Sequence, residues 1–167
     1  MISIQINSLK SLMTPLLTGD TFYSFLLEKA RICVGCTFEI DGHVNAPFYE
    51  GSGNLPEYDL QEWKDLQNTC YQLIKGKQTP TSFNFTLHLK PEKAHEMLEK
   101  EYPEIADGGA GELLRALILN IYYDGTRTTV TTSTSYKTFV PDKTIDQIWD
   151  RAATRFLGLK GVSFEIM

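Results

Sequence analysis

Between Ser82 and Pro91 the chain alternates apolar and polar residues without a break. Phe83, Phe85, Leu87 and Leu89 fall on one side, and His88 falls on the other. A period of two marks a strand with one buried face and one wet face. Four large apolar side chains on one face need a second layer packed over them. Pro91 then stands at the first position of a helix, where its missing N–H costs nothing. That helix runs to about Glu101. A strand leading into a helix that folds back over it is the unit from which the rest of the chain is read.

The same two periods recur along the sequence. Ile2, Ile4 and Ile6 alternate as a strand. Asn7 is the expected N-cap of a helix carrying Leu9, Leu12, Met13 and Leu16, which Pro15 is expected to kink or end. After a turn at Gly19-Asp20, Phe22 to Val34 reads as a long strand. Cys36 to Ile40 reads as its partner, with Gly35 as the hinge. Asp41-Gly42 predicts a further tight hairpin, because type I′ turns need positive φ. Residues 45–58 carry Pro47, Gly51, Gly53, Asn54 and Pro56 and read as a loop. Leu60, Trp63, Leu66, Cys70, Leu73 and Ile74 share one face of a helix that Gly76 closes. Residues 103–111 read as a Gly-rich connection. Leu117 to Tyr123 and Thr126 to Phe139 form a second Asp-Gly hairpin around Asp124-Gly125. A last helix starts near Asp142, with Ile145, Ile148, Trp149, Ala152 and Phe156 on one face, and Gly158 closes it. Val162 to Ile166 is a short strand or a tail.

This order predicts an α+β domain over residues 1–167. Strand 2–6, a helix and a hairpin match strand 83–89, a helix and a hairpin. Two weakly repeated β-α-β-β units with added helices give an antiparallel sheet with helices on one face. Processivity clamps of DNA replication have units of this order, so a clamp-like topology is among the expectations. The predicted core is Ile4, Leu12, Phe25, Phe38, Trp63, Leu73, Phe85, Leu87, Leu119 and Trp149.

Composition excludes several classes of function. The formal net charge is −5 and no run of basic residues occurs. Phosphate backbones and anionic membrane surfaces both need clustered Lys and Arg, so neither nucleic acid nor a membrane is an expected partner. A clamp-like topology would therefore not imply clamp function, since the helix after Pro91 carries Glu92, Glu96, Glu99 and Glu101 against Lys93 and Lys100. The N-terminal residues lack the basic region and apolar core of a signal peptide. Three cysteines are expected to be free thiols, as in a cytoplasmic protein.

Several stretches together resemble a known family. They are Thr37-Phe38-Glu39-Ile40-Asp41-Gly42-His43 with Phe48-Tyr49, and Leu73-Ile74-Lys75-Gly76-Lys77-Gln78-Thr79-Pro80. Thr131-Thr132-Ser133-Thr134-Ser135-Tyr136-Lys137 with Asp142-Lys143 and Trp149-Asp150 completes the set. The chain resembles an uncharacterised protein family of clostridial-type bacteria, a domain of unknown function, over nearly its whole length. The resemblance implies a bacterial cytoplasmic protein and carries no activity with it.

No sequence motif compels a reaction. Cys33-Val34-Gly35-Cys36 supplies half of a zinc tetrahedron, and only Cys70 and His43 remain to complete it. No metal and no cofactor is therefore expected. Lys75-Gly76-Lys77 reads as a helix C-terminus rather than an anion site. Gly108-Gly109-Ala110-Gly111 lacks the lysine of a phosphate loop. His88 and His95 read as solvated. The strongest candidate is the predicted hairpin tip and the loop after it, with Asp41, His43, Tyr49 and Glu50 as ligand-binding or partner-binding residues. A histidine beside a carboxylate serves as a base, and long loops that keep aromatic residues carry function. The expected function is a non-catalytic binding or protein-interaction role, with a protein or small-molecule partner. The alternative is a small hydrolase-like or metal-assisted enzyme on the same four residues. An enzyme predicts polar side chains converging in one pocket with shifted pKa values. A binding module predicts an exposed apolar patch or a free sheet edge.

Overall fold

The alternating segment forms the strand Ser82–Leu89 near the middle of an eight-stranded antiparallel sheet. The computed structural model describes residues 1–106 and 109–167. Its strands are β1 (Ser3–Ile6), β2 (Phe25–Cys33), β3 (Thr37–Asp41), β4 (Gln61–Glu62), β5 (Ser82–Leu89), β6 (Leu114–Tyr123), β7 (Thr128–Tyr136) and β8 (Phe164–Ile166). Its helices are α1 (Leu9–Leu17), α2 (Trp63–Ile74), α3 (Pro91–Glu101), α4 (Pro103–Ala106), α5 (Ala110–Leu113) and α6 (Thr144–Leu159), with a 3-10 turn at Ala46–Tyr49. The sheet order is β3-β2-β5-β6-β7-β1-β8, and β4 pairs with β2. The fold class is α+β, as the two periods predict.

The two β-α-β-β units do not occupy equivalent places. The first strand of one unit, β1, sits between β7 and β8, whereas the first strand of the other, β5, sits between β2 and β6. Element order repeats, but strand neighbours do not, because long-range pairing is chosen by packing and not by local pattern.

Helices cover one face. Leu12 and Leu16 of α1, Trp63 and Cys70 of α2, Leu98 of α3, and Ile145, Ile148, Trp149 and Leu157 of α6 share one buried cluster with Ile32, Phe85, Leu87, Leu119 and Val130 of the sheet. Of the predicted core, Ile4, Leu12, Phe25, Trp63, Phe85, Leu87, Leu119 and Trp149 are buried. Leu73 is only half-buried. Phe38 is 38% exposed, because β3 is an edge strand and its helix-side face is incompletely covered.

Several local expectations need correction. Ser8, not Asn7, caps α1, accepting from the Ser11 N–H. Pro15 does not end α1, which runs on to Leu17. The last turn is held from outside it. The Leu16 carbonyl accepts from both the Trp63 indole and the Gln67 amide at 3.0 Å, and the Thr14 carbonyl accepts from Thr18. Residues 103–111 are not a plain loop, since α4 falls within them and α5 begins at Ala110; 107–108 lie outside the described residues. Gly158 does not close α6, which reaches Leu159 before Gly161 takes φ +77°.

The two Asp-Gly pairs behave differently. Asp124-Gly125 makes the predicted β6–β7 hairpin, with Gly125 at φ +101°. Asp41-Gly42 does not turn the chain. The β2–β3 reversal occurs at 34–36, where the Val34 N–H bonds the Cys36 carbonyl at 3.0 Å. Gly42 is instead wedged against β2, as its N–H donates to the Glu28 carbonyl at 2.9 Å.

Asp124 makes one pH prediction. Its Oδ1 accepts from the N–H groups of Arg127 and Thr126 and from the Thr126 hydroxyl, which together hold the carboxyl below its ordinary value of 3.8. A depressed native pKa contributes stability above the unfolded value, and that contribution is lost as pH falls through the native one. Asp124→Asn is therefore expected to unfold more readily than the parent at pH 7, with the difference shrinking below pH 3.8. Paired urea titrations check it, and a difference that grows on acidification would refute it.

Candidate functional site

The wet face of the sheet carries a cleft built at two irregularities. A register shift between Leu27 and Lys29 leaves Glu28 as an extra residue in β2. A second shift, between Leu114 and Ala116, does the same for Arg115 in β6. Bulges re-aim side chains: Arg115 lines the cleft, and Glu28 bonds the His88 that lines it. His88 lies on β5 between the two, opposite Leu26 and Ile118. The chain leaving β3 closes the side, where His43 bridges to Leu60.

The cleft has a volume of about 410 Å³, within the range of roughly 300–1,000 Å³ common for small-molecule sites. Leu26, Leu60, Leu89, Pro91 and Ala116 form its apolar lining, and His43, Glu57, Tyr58, Asp59, His88 and Arg115 supply its polar groups. The His88 Nε2 lies 2.6 Å from Glu28 Oε2, with the imidazole mostly buried. That pairing corrects the expectation that His88 is merely solvated. Tyr58 donates its hydroxyl to Glu92, and this bond raises the phenol above its ordinary value and lowers the Glu92 carboxyl. The phenol therefore stays protonated and does not serve as a base. The Lys90 ammonium sits 5.6 Å from the centre of the same ring while pairing with Glu62 at 2.5 Å, so Tyr58 is held from both ends.

The four residues singled out from the sequence are only partly assembled. Asp41 and His43 meet, with Nδ1 2.6 Å from Asp41 Oδ1 and the His43 N–H donating to the same oxygen at 3.0 Å. These two bonds hold the Asp41 carboxyl below its ordinary value. Tyr49 is engaged elsewhere, accepting from Gln61 at 3.0 Å and stacking edge-on with Phe48. Glu50 is exposed at the end of the 3-10 turn. Among the described residues no hydrogen bond joins Tyr49 or Glu50 to the His43 pair. His43 reaches the cleft from a neighbouring strand end, not from a hairpin tip.

Glu28, His88 and Arg115 were missed. Alternation placed His88 on the wet face, which was the available signal. Nothing in the local sequence marks Glu28 or Arg115 as bulge residues, because a bulge is a mismatch between two strands.

The cysteines are dispersed in environment. Cys70 is buried, and burial pushes its thiol up to about 12. Cys36 is exposed. Cys33, at the end of β2, is held below the ordinary thiol value by the hydroxyls of Ser82 and Thr37. Among the described residues no three His, Cys, Asp or Glu side chains stand close enough to hold a metal ion. No helix among them is long and apolar enough to cross a membrane.

The profile of a family described as a family of unknown function, DUF5721, matches residues 15–165. The chain belongs to this family. No curated protein and no solved structure matches the chain. Membership in DUF5721 thus establishes kinship and leaves function to the geometry of the site.

Proposed function

We propose that this DUF5721 protein is a non-catalytic binding protein whose cleft takes a small organic zwitterion with an apolar body. The observation that carries the reading is the cleft's charge arrangement over its apolar lining. Arg115 stands in the same cleft as Glu57 and Asp59. A plain anion would meet two carboxylates there, and a plain cation would meet the guanidinium. A ligand with one charge of each sign satisfies both, and its apolar part covers Leu26, Leu60 and Leu89. His43 and His88, each oriented by a carboxylate, supply hydrogen bonds of fixed direction. The hydrolytic alternative has less support. Among the described residues no serine, threonine or cysteine lines the cleft, and neither Tyr49, which bonds Gln61, nor the exposed Glu50 lines it. The free cysteines and the family resemblance support a place in the cytoplasm of clostridial-type bacteria.

The test is an NMR titration of the His43 and His88 ring protons with an apolar amino acid such as leucine. Both signals are expected to move together and saturate. Arg115→Ala is expected to weaken binding at least about tenfold, since a charge-assisted hydrogen bond contributes on the order of 1.5–3 kcal/mol. Neither leucine amide nor 4-methylpentanoate, each lacking one charge, is expected to bind as well. Unmoved ring signals with all three compounds would end the proposal.

A further inference from the structure

We propose that the outer edge of β3 is a docking site for an extended segment of a partner protein carrying basic side chains at alternate positions. The site is separate from the cleft ligand and does not depend on it. Register shows which groups are free. The carbonyl of Cys36 accepts from Val34, just beyond the end of β2, and the N–H of Gly42 donates to Glu28 within β2. Hydrogen bonding alternates along an antiparallel pair, so Phe38 and Ile40 also face β2. The N–H and C=O groups of Thr37, Glu39 and Asp41 therefore point away from the sheet. Among the described residues β3 pairs with β2 alone, and no turn or loop backbone bond reaches these groups.

Sheet edges invite strand addition unless they are very short, bulged, interrupted by proline or guarded by charged side chains, lysine above all, and the acidic guards of β3 turn away acidic strands alone. β3 is five residues long, has no proline and no lysine, and keeps an unbroken register with β2. An added strand would also finish an incomplete piece of core. Phe38 and Ile40 lie opposite the buried Ile32 and Ala30, yet Phe38 is more than one-third exposed. Alternate apolar side chains of the incoming strand would cover them.

Charge selects the partner. The wet side of this corner holds Glu28, Glu39 and Asp41 against Lys29 and Arg31. Arg31 reaches Glu39 at 3.2 Å with both side chains at least half exposed, a weak pair that a further cation joins without displacing it. A second copy fits less well. Two β3 strands paired about Glu39 would set the two Glu39 carboxylates opposite each other, and like charges directly opposite are destabilising. Lysine or arginine at the positions facing Glu39 and Asp41 turns the same contact favourable. This is strand addition, with main-chain bonds supplying affinity and side chains supplying choice.

The probe is a short synthetic peptide alternating lysine with valine, compared with its glutamate counterpart, against isotopically labelled full-length protein. The lysine peptide is expected to shift the amides of Thr37, Glu39 and Asp41 and slow their hydrogen exchange, and the glutamate peptide is not. Glu39→Pro removes an N–H that β2 does not use, so β3 stays paired while strand addition is blocked. It is expected to weaken the peptide at least tenfold with the urea midpoint little changed. Glu39→Lys with Asp41→Lys leaves the backbone edge intact and is expected to exchange the preference between the two peptides. Equal binding of both peptides, contacts confined to other residues, or an unchanged preference in the double variant would overturn the proposal. Concentration-dependent protection of the same three amides in the protein alone would also overturn it, by assigning the edge to a second copy.

Discussion

Replacing Phe85 with alanine is expected to cost roughly 3–5 kcal/mol, the range for deleting a fully buried aromatic ring. Phe85 is wholly buried at the middle of β5, paired with Ala30 on one side and Ile121 on the other. Its ring meets Trp63 of α2 edge-on at 5.5 Å and Phe83 at 5.5 Å. The ring therefore couples the sheet to the helix layer, and the surrounding strands are too well paired to collapse into the space it leaves. Urea unfolding should show the midpoint falling with the slope unchanged, because the surface exposed on unfolding stays nearly the same. A loss below about 1 kcal/mol would mean that the site relaxes, and the view of β5 as the rigid centre of the core would fail.

Gly42→Ala is expected to be nearly as damaging, for a different reason. A Cβ built on Gly42 would lie 1.7 Å from the Leu27 carbonyl oxygen and 2.6 Å from its carbon. Both are backbone atoms, so no side-chain rotation relieves the overlap. The chain between β3 and β4 must then move off β2. That movement breaks the bond from the Gly42 N–H to Glu28 at 2.9 Å and the bond from the Gln61 N–H to the Gly42 carbonyl at 2.7 Å. Losing both with their groups left in the interior costs at least about 2–3 kcal/mol. His43 follows immediately and should be displaced from the cleft, so ligand binding is expected to fall along with stability. Gly35→Ala is the control. Its Cβ would meet nothing within 4 Å and its φ is not left-handed. That substitution is expected to stay within about 0.5 kcal/mol of the parent in the same unfolding assay. Tolerance at Gly42 would contradict the close approach of β3 to the β2 bulge.

The layers of the fold were legible because burial imposes its period directly on the chain. Ile4, Phe85, Leu87, Leu119 and Trp149 all read correctly, since each lies in an element whose alternation or helical spacing repeats over several residues. Phe38 misled for the same reason in reverse. It alternates like a core residue, but it stands on the last strand of the sheet, where the helix layer runs out. Of the two effects expected of Pro15, ending the helix does not occur, because the Trp63 and Gln67 side chains that support the last turn of α1 arrive from 47 and 51 residues away.

The site was less legible than the core. Asp41 and His43 are near neighbours in sequence and remain partners in space, as short separation requires. The Glu28–His88 pair spans 60 residues and depends on a bulge. A bulge has no composition of its own, so neither Glu28 nor Arg115 announces its role.

The two Asp-Gly dipeptides mark the division most clearly. By itself the sequence marked both places as hairpin turns, which only one of them is, and it determined that strands and helices would alternate in this order and that one face of the sheet would be covered. Tertiary structure alone decided that Gly125 turns a hairpin while Gly42 lets two backbones touch. It also decided that β1 joins β7 rather than β2, that His88 and Arg115 share a cleft, and that Glu28 pairs with His88 beside it. Period and propensity act over a few residues, whereas strand partners are chosen by how the whole apolar surface is buried, and that choice has no local signature.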